Sequence, residues 1–592
     1  MLACMEEDAR IDALLGRGYL PKELPPPFTS VSFARNITPV AAAWKTHADA
    51  LPAKDKRNYP FPSNCGRFDM ARKGHSRRML AIPNPINQYY LVQALAQNWR
   101  AIETQMATSA ISMTPALVTP LDSRAVPMPK LSLLAEHRIK AYATSRAILQ
   151  TDVLSFYHAI YTHSIPWALH DKRTAKRNRH DATLLGNRLD FLMRGCQDGQ
   201  TIGIPVGPDS SRILSELILC AVEREIDPAI SASLLGGYRY VDDFFLAFGS
   251  HVDAERYLAA LRGAVLKFDL QLNASKTAIT AALDFNEASW PGAIASLSLA
   301  ASARDQRHDL MRFFTEVIAL SKSHPDESIA SYAVRTTSRV LIQRENWGLY
   351  EPFLLRVARE NSSCLDAVVK ILCTYAAAGY PVGSAVNDFV ERMIEDHAPY
   401  NHHFEVVWVL WLCRSLEIKL SERATALVAR IENSICACLV LMLRSRRLLS
   451  GRGAVSDWTG TVNTESLRGE HWMLIYEAGI RKTWRVPGAR EAVQADTHFR
   501  AMRDANVSFF DNSTTNLPLA LPAIGPKLQE ALEGRRSAIL RGAIEIISSV
   551  PPRSRRYETL GEDYGSDSDV HDWERWRNPF NFDDDDDYDL PF

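Results

Sequence analysis

Two adjacent carboxylates lie between aromatic and apolar residues at 238–248, which read Tyr-Arg-Tyr-Val-Asp-Asp-Phe-Phe-Leu-Ala-Phe. Aromatic and β-branched residues favour the half-buried surface of a pleated sheet, so the pattern predicts a β-hairpin. One strand enters through 240–241, Asp242 and Asp243 occupy the turn, and a second strand leaves through 244–246. The chain must therefore fold so that two like charges lie beside apolar surface.

This pair of carboxylates needs a counter-charge. Desolvated like charges repel, and one of them would stay protonated unless a cation neutralises both. A hard divalent ion such as Mg²⁺ is the usual partner of carboxylate oxygens. A surface hairpin in which Asp-Asp merely favours the turn is the alternative when the stretch is taken alone.

A third acid, Asp152, follows the apolar run Ala-Ile-Leu-Gln-Thr at 147–151, which has the composition of a buried strand. Alone, an Asp between a strand and a helix is more often an N-cap than a catalytic group. It lies 90 residues before Asp242, so the two can be on neighbouring strands of one antiparallel sheet with converging carboxylates. Strand-borne acids that share two metal ions are what in-line nucleotidyl transfer needs.

Between these acids lies a Gly- and Pro-rich loop at 199–211, followed by a helical run at 212–222. Such a loop is rigid and lets backbone approach a ligand closely. We expect Asp209 or Ser210 to cap the helix. A structural loop is the default interpretation, but its position between the acids favours a nucleotide-facing role.

Beyond the hairpin, residues 252–268 have helical periodicity and 270–277 suggest a short strand that carries Lys276 at its end. Upstream, alternation at 79–82 predicts a strand that Pro-Asn-Pro ends before a helix. The charge of Lys276, at the end of the segment 270–277, suits a phosphate, although a single Lys is no evidence by itself.

Together these segments resemble the fingers and palm of reverse transcriptases over roughly residues 70–300. Asp152 matches the first catalytic acid, and 240–243 match the Tyr-x-Asp-Asp signature. Tyr157 matches the bulky residue that excludes a ribose 2′ hydroxyl. The resemblance implies two Mg²⁺ ions, for which Mn²⁺ can substitute. It implies catalysis by Asp152, Asp242 and Asp243, metal binding by these acids and Val153, and nucleotide contacts from Arg77, Arg78, Tyr157, Pro205, Val206, Gly207 and Lys276.

The chain is more closely similar to the bacterial antiphage branch, the abortive-infection and defence-associated reverse transcriptases. Residues 19–28 with Pro-Pro-Pro, 161–168 and 203–208 carry this similarity. Ordinary reverse transcriptases have Pro-Gln-Gly where this chain has Val206 in the middle, so the resemblance implies unusual template use. Some relatives extend DNA from their own tyrosine without a nucleic-acid template, and others work with a noncoding RNA or a second reverse transcriptase. No residue identifies a priming tyrosine.

From about residue 304 the strand signals vanish and helical segments follow one another, with helix pairs at a spacing of roughly 40 residues. This resembles a HEAT-like α-solenoid, and an irregular helical bundle is the alternative. His402 and His403 are adjacent, and neighbouring helical residues do not face one metal site. The predicted helices are 310–320, 329–343, 365–377, 404–418, 424–443, 472–480 and 528–547.

The expected fold class is α+β, with an antiparallel palm sheet and helices followed by an all-α HEAT-like domain. The expected parts are an N-terminal extension at 1–69, partly extended and Pro-rich, fingers and palm at 70–303, a helical domain at 304–550, and an acidic, flexible tail at 551–592. The tail is also rich in aromatic residues, and a tail that docks on the body as a nucleic-acid mimic is the alternative.

Composition bounds the compartment and the partners. The formal charge of −1, from 68 basic and 69 acidic residues, hides basic clusters at 172–179 and 553–556. Nine cysteines without paired metal spacing indicate free thiols in a reducing compartment. The longest apolar run, 435–443, is about half of what a bilayer span needs. We therefore expect a cytoplasmic protein without a membrane partner.

The expected function is an antiphage DNA polymerase of the reverse transcriptase family, protein-primed or without a conventional template. Its expected partners are dNTPs, a single-stranded DNA product, a noncoding RNA or a second reverse transcriptase, and further copies of itself in a homo-oligomer. Two rivals stay open. One is a conventional RNA-templated reverse transcriptase, and the other is a scaffold or binding protein with a vestigial polymerase site.

Overall fold

A computed structural model of the chain describes residues 5–120, 122–129, 131–283, 290–325, 327–451 and 455–511. The predicted helix at 528–547 and the acidic tail at 551–592 lie outside these residues. The described strands form two antiparallel sheets. They are β1 (Gly66–Ala71), β2 (Arg77–Ile82), β3 (Ala147–Thr151), β4 (Leu234–Tyr240), β5 (Asp243–Phe248) and β6 (Ala278–Ala281).

The larger sheet has the strand order β4-β5-β3-β6, and β1 pairs with β2 in a separate hairpin. β3 runs antiparallel to both of its neighbours, so that Leu149 lies opposite Leu246 on one side and Ile279 on the other. Both faces of β3 are covered, with Ile148 and Leu149 fully buried, which explains its nearly continuous apolar sequence. Thr151 at its end lies opposite Phe244, near the start of β5. The prediction that the two acid-bearing segments are neighbouring strands is therefore confirmed.

Helices surround this sheet, and the predicted helix at 252–268 is confirmed as His251–Lys267. The helix after Pro-Asn-Pro is also confirmed, because Asn84 accepts a hydrogen bond from the Ile86 amide at 3.3 Å and caps its first turn. The helices up to residue 267 are Glu7–Gly16, Val31–Arg35, Ile37–Ala50, Ala53–Lys56, Pro85–Gln97, Trp99–Met106, Leu131–Tyr142, Phe156–Ala159, Ser164–His170, Lys172–Arg177, Leu185–Gly195, Asp209–Arg224, Pro228–Ser231 and His251–Lys267.

Two local predictions in this half are wrong. Asp209 does not cap the helix but is its first residue, because its carboxylate accepts hydrogen bonds from Arg124 Nη2 at 2.6 Å and the Val126 amide at 3.0 Å. Ser210 follows it inside the helix. The segment 270–277 is a 3₁₀ turn at Ala274–Lys276 rather than a strand, and β6 begins only after it.

The second half is helical, as predicted, and the segments 365–377 and 472–480 match to the residue. The predicted helix 424–443 is wrong as a single element, because the Asn433 side chain accepts from the amides of Ile435 and Cys436 and begins a new helix. The helices are Trp290–Ala295, Ala303–Ser323, Ile329–Thr337, Trp347–Glu360, Leu365–Ala377, Ala385–His397, His403–Leu416, Glu422–Ala429, Ser434–Ser445, Ser456–Thr459, Trp472–Ile480, Ala489–Ala495 and Thr497–Asp504, with 3₁₀ turns at Arg344–Asn346, Ser362–Cys364, Ala398–Tyr400 and Glu465–Arg468.

These helices pack mainly on helices close to them in the chain, which fits a repeat-like stack. His403–Leu416 also packs against β1, and Thr497–Asp504 packs against Ile37–Ala50. The helical half therefore packs against the first half of the chain.

Residues 17–30, which hold the Pro-Pro-Pro sequence, form turns and one bridge between the two halves. Tyr19 is fully buried and donates a hydrogen bond to the Pro83 carbonyl. On the other side, Trp408 Nε1 donates to the Glu23 carbonyl at 3.0 Å, and Phe28 pairs with Phe510. This part of the N-terminal extension is therefore buried between the two halves of the chain, and it consists mainly of turns rather than of extended chain.

None of the described helices is both long and apolar enough to cross a membrane. The cysteines among the described residues are free thiols, and all of them except Cys65 are buried. Burial raises the pKa of Cys65 and Cys364 to about 12. These two thiols are therefore protonated at neutral pH and are weak nucleophiles.

Candidate active site

The hairpin of β4 and β5 turns through two residues, because Tyr240 lies directly opposite Asp243. Val241 and Asp242 form the tip, and Asp243 is the first residue of β5. The hairpin prediction is confirmed, but Val241 belongs to the turn rather than to the entering strand, and Asp243 belongs to the leaving strand rather than to the turn. We call Val241, Asp242 and Asp243 the acid turn.

Val241 has a φ of 53°, which is unusual for a β-branched residue. Two hydrogen bonds hold its peptide groups from opposite sides. The Val241 amide donates to Thr114 Oγ1 at 2.9 Å, and its carbonyl accepts from Arg239 Nη1 at 2.8 Å. Strained backbone of this kind persists only where the surroundings fix it, and it is common at functional sites.

Arg239 is fully buried behind the acid turn, and each of its five N–H groups has an acceptor. Glu216 accepts two bonds at 2.9 Å each, and Glu223 accepts a third at 2.6 Å. The Val241 carbonyl and Cys220 Sγ accept the other two. Burial lowers the pKa of Arg239, but Glu216 and Glu223 outweigh it, so the pKa lies above its ordinary value and the guanidinium is always charged.

Asp152 directly follows β3 and is buried, with 7% of its surface exposed. Its Oδ2 lies 2.9 Å from Lys276 Nζ, whereas its Oδ1 is buried without a hydrogen-bond partner among the described residues. The next residue, Val153, forms a bridge with Leu272. That bridge uses the carbonyl of Asp152 and the amide of Leu154, so the Val153 carbonyl takes no part in it.

Asp152 and Asp243 are close enough to Asp242 to change its ionisation. Burial raises the pKa of Asp242 to about 7, and the charges of Asp243 and Asp152 add to this shift, whereas Lys276 opposes it. Burial lowers the pKa of Lys276, but its hydrogen bond to Asp152 and the charges of the three acids outweigh this effect and raise the pKa. All three carboxylates thus act on Lys276.

The residues present fit a hard divalent cation. All of the donors are oxygens, and one of them is buried without a hydrogen-bond partner among the described residues, which suits Mg²⁺ and Mn²⁺. Among the described residues, only His397, His402 and Glu405 bring three ligand atoms within 4.8 Å of one another. The three aspartates are therefore more widely spaced than that cluster.

Tyr157 lies within electrostatic range of the acid turn. Burial raises its pKa, and the charge of Asp242 contributes in the same direction. Ser215 Oγ donates to the Tyr157 hydroxyl at 3.3 Å, and the Ile204 amide donates to the Tyr157 carbonyl at 2.9 Å. The short helix after Asp152 is therefore tied to the Gly- and Pro-rich loop.

That loop is also fixed to β2. The Val206 carbonyl accepts a hydrogen bond from the Ala81 amide at 2.8 Å, and Pro205 is buried. Gly207 has a φ of 130°, and a Cβ there would lie 2.9 Å from Pro21 Cγ. Only glycine fits this place without a shift, since both its backbone conformation and its neighbour exclude a side chain.

The structure does not bring Arg77 to the three acids. Its two terminal nitrogens donate to both oxygens of Glu405, at 2.9 and 2.7 Å, and its Nε donates to Asp69 Oδ2 at 2.5 Å. Arg77 and Glu405 are 328 residues apart in the chain. The predicted nucleotide contact thus lies in an ion pair between the β1–β2 hairpin and the helical half.

Sequence reasoning missed three residues around the acid turn. One is Arg72, next to β1, which is charge-coupled to both Arg78 and Asp242; burial lowers its pKa to about 10, and Arg78 adds to that shift. The others are Thr114 and Arg239. Arg239 lies inside the hairpin sequence, but an arginine in an exposed strand looks the same, and no local signal marks Thr114 or Arg72.

The structure thus gathers Asp152, the acid turn and Lys276, with Tyr157 and Arg72 within electrostatic range. No protein-family model matches the chain, and no curated protein matches it either. The chemistry of the site therefore has to be argued from its own residues.

Proposed function

We propose that this chain is a DNA polymerase of the reverse transcriptase type, which adds deoxynucleotides to a 3′ hydroxyl. One observation carries the proposal. Asp152 directly follows β3 and Asp242 directly precedes β5, the strand that pairs with β3, so that the two acids and Asp243 lie within electrostatic range of Lys276. Buried carboxylates that converge in this way fit the binding of divalent cations and a nucleotide triphosphate.

Asp152 through its free Oδ1, Asp242, Asp243 and the Val153 carbonyl are the groups that would hold two Mg²⁺ ions, or Mn²⁺ in their place. When bound, the ions activate the attacking hydroxyl and neutralise the leaving pyrophosphate. Lys276 orients Asp152 through its contact of 2.9 Å. Thr114 and Arg239 keep the acid turn in its strained conformation.

The remaining residues supply recognition. Arg72 and Arg78 form a cationic pair at the β1–β2 hairpin, coupled through Arg72 to Asp242, and suit the phosphates of an incoming dNTP. Tyr157, fixed by the loop at 203–207, would press on the sugar and reject a 2′ hydroxyl. Lys276 provides a further positive charge near the same phosphates.

The biological role that we propose is antiphage defence, which rests on the resemblance in residues 19–28, 161–168 and 203–208. Val206 supports synthesis without a conventional template, since its side chain has no amide for a templating base pair. Priming from the protein itself, a noncoding RNA or a second reverse transcriptase as partner, and a homo-oligomer belong to this proposal.

The first experiment replaces both Asp242 and Asp243 with Ala. We expect incorporation of labelled dNTP by the purified full chain to fall by at least about 10³-fold, because the groups that hold the ions are lost. Glu255→Ala, at an exposed carboxylate on the helix that follows β5, is the matched control and should leave incorporation unchanged. Undiminished synthesis by the double variant would remove the polymerase assignment.

The same assay separates the forms of the proposal. It is run with and without added RNA or DNA, and the product is sequenced and tested for attachment to the polypeptide after denaturation and phenol extraction. DNA bound to protein in the absence of a template indicates protein priming. Synthesis that needs added RNA indicates a conventional reverse transcriptase, and defence that survives in the double Ala variant indicates a scaffold.

The role of Tyr157 is tested by substitutions that change the size of its side chain. Tyr157→Val should admit rNTPs and reduce discrimination between dNTP and rNTP by about 10- to 100-fold, a loss on the scale of a few contacts. Tyr157→Phe keeps the ring and should keep the discrimination. Equal sugar discrimination in the wild type and the Val variant would show that Tyr157 does not contact the sugar.

A further inference from the structure

We infer that His397, His402 and Glu405 form a binding site for a transition metal ion of the zinc class, separate from Asp152 and the acid turn. The three residues lie where helix Ala385–His397 ends, the turn Ala398–Tyr400 follows, and helix His403–Leu416 begins. The short turn brings the two histidines and the glutamate close together. This inference does not depend on the proposed polymerase activity.

The geometry brings the donor atoms together. His397 Nδ1 and His402 Nδ1 are 2.9 Å apart, and Glu405 Oε1 lies 3.7 Å from His397 Nδ1. All three donor atoms lie within 4.8 Å of one another. Bonds of about 2.0–2.2 Å in a tetrahedral zinc site place ligand atoms about 3.3–3.5 Å apart. An ion therefore fits after the two rings separate by about half an ångström and the widest donor pair, which lies within 4.8 Å, closes by about one ångström.

Two imidazole nitrogens and one carboxylate oxygen are a donor set for zinc or cobalt rather than for magnesium, which prefers oxygen alone. Two ring nitrogens that face each other at this distance hold at most one proton between them. A metal ion can take the place of that proton.

Arg77 does not block the site. Its guanidinium donates to both oxygens of Glu405, but a carboxylate oxygen has two lone pairs, so Oε1 can accept from Arg77 and bind an ion as well. Asp69 lies on the other side of Arg77 and offsets part of the added positive charge. Arginine would then be the outer partner that orients the ligating carboxylate.

This position gives the ion a structural consequence. Through Glu405 and Arg77 it would connect the helical half to the β1–β2 hairpin, which carries Arg78 and leads to Arg72. An ion that binds the folded chain and not the unfolded chain raises the thermal midpoint by mass action. We therefore expect zinc to stabilise the chain as well as to bind it.

His403 provides a control from the next position in the chain. Its Nδ1 accepts a hydrogen bond from the Asp69 amide at 3.1 Å and lies near Asn433 Nδ2 at 3.3 Å, so it is outside the cluster. The adjacent pair His402 and His403 thus does not face one site, as the sequence indicated. The partner of His402 is instead His397, five residues earlier.

The test uses the full chain, stripped with a chelator and held in excess Mg²⁺ so that the aspartates are occupied. Titration with Co²⁺ should give the visible absorption of a four- or five-coordinate ion at one equivalent, and Zn²⁺ should displace it. His402→Gln and His397→Gln should each weaken cobalt binding by at least about 100-fold, whereas His403→Gln should keep the wild-type affinity. Absence of the absorption in the wild type, or equal binding in all variants, would overturn the site.

A second measurement covers the case in which a variant fails to fold. X-ray absorption at the zinc edge of the loaded wild type should show only nitrogen and oxygen donors at about 2.0–2.2 Å, with the multiple scattering of two imidazoles. A sulfur shell at about 2.3 Å would mean that zinc binds cysteines, and it would overturn the inference. A rise in thermal midpoint with zinc in the wild type, lost in His402→Gln, is expected in addition.

Discussion

Asp366 in the helical half and Asp242 in the acid turn are both buried carboxylates, but their pKa values shift in opposite directions. Asp366, in helix Leu365–Ala377, lies 3.0 Å from Arg335 Nη2 and 3.5 Å from Lys370 Nζ. Burial raises its pKa, but these two cations outweigh burial and hold the pKa below its ordinary value. At Asp242, burial raises the pKa to about 7, and the charge of the neighbouring Asp243 adds to this shift.

The difference does not reflect a lack of cations near the hairpin. In β4 itself, Arg239 forms ion pairs with both Glu216 and Glu223. Asp366 is paired with cations of the chain and contributes to the fold. Asp242, whose pKa is raised by burial and by the charges of Asp243 and Asp152, marks the candidate binding site.

The largest effect on stability should come from breaking the neutralised side of this comparison. Arg335→Met leaves Asp366 buried with only Lys370, and we expect a loss of up to about 3–5 kcal/mol in the free energy of unfolding. Urea unfolding followed by circular dichroism measures it. Arg356→Met is the matched control, since its partner Glu360 and Arg356 itself are 60% and 59% exposed, and less than about 0.5 kcal/mol should be lost there. Equal effects of the two substitutions would show that the buried pair has no special weight.

Arg239→Lys keeps the buried charge but removes the five-donor fork. Lysine has three donors on one nitrogen, so it cannot reach Glu216, Glu223 and the Val241 carbonyl together. We expect a loss of about 1–3 kcal/mol in stability and a fall in kcat that exceeds any change in KM for dNTP, because Asp242 is displaced. Steady-state incorporation and urea unfolding measure the two quantities.

Thr114→Val isolates the positioning role of that network, since it removes only the acceptor of the Val241 amide and keeps the side-chain shape. It should lower kcat in the same direction as Arg239→Lys, with less loss of stability. If kcat is unchanged in both variants, the network supports the fold alone and does not position the acid turn.

The same contrast explains how far the sequence could lead. The hairpin, β3 and the helices 365–377 and 472–480 follow from local periodicity, and Asp152 could be paired with Asp242 because sheet neighbours bring strand ends together. Local patterns gave wrong predictions where a side chain is paired with a residue far away in the chain. Asp209 is hydrogen-bonded to Arg124 instead of capping its helix, and Arg77 is hydrogen-bonded to Glu405 instead of lying at the three acids.

The break near Asn433 shows a different limit. The run 424–443 has strong helical periodicity, and one capping side chain outweighs it because the cap satisfies two amides at once. The arrangement that holds Val241 in the left-handed region depends on Thr114 and Arg239 together. Hydrogen bonds between residues that are distant in the sequence leave no periodic pattern along the chain.

The smallest effect, and the most specific to the unneutralised side, concerns the pH dependence of stability without divalent ions. Asp242 has a pKa of about 7 in the folded chain against an ordinary value of 3.8, so the folded state binds more protons than the unfolded state between pH 4 and 7. The free energy of unfolding should therefore fall as pH rises through that window. The Asn side chain of Asp242→Asn does not titrate, so the free energy of unfolding of the variant should depend less on pH. Relative to the wild type, the variant should therefore be more stable at pH 8 than at pH 5.

Urea unfolding in chelator at pH 5 and pH 8 measures this slope, and Asp269→Asn, at an exposed carboxylate 3.5 Å from Lys172, is the control that should keep it. Adding Mg²⁺ at pH 8 should stabilise the wild type more than Asp242→Asn, because the ion replaces the missing counter-charge. Parallel pH profiles for the wild type and Asp242→Asn, together with equal Mg²⁺ effects, would mean that Asp242 is neutralised within the chain like Asp366. The contrast between the two carboxylates would then disappear.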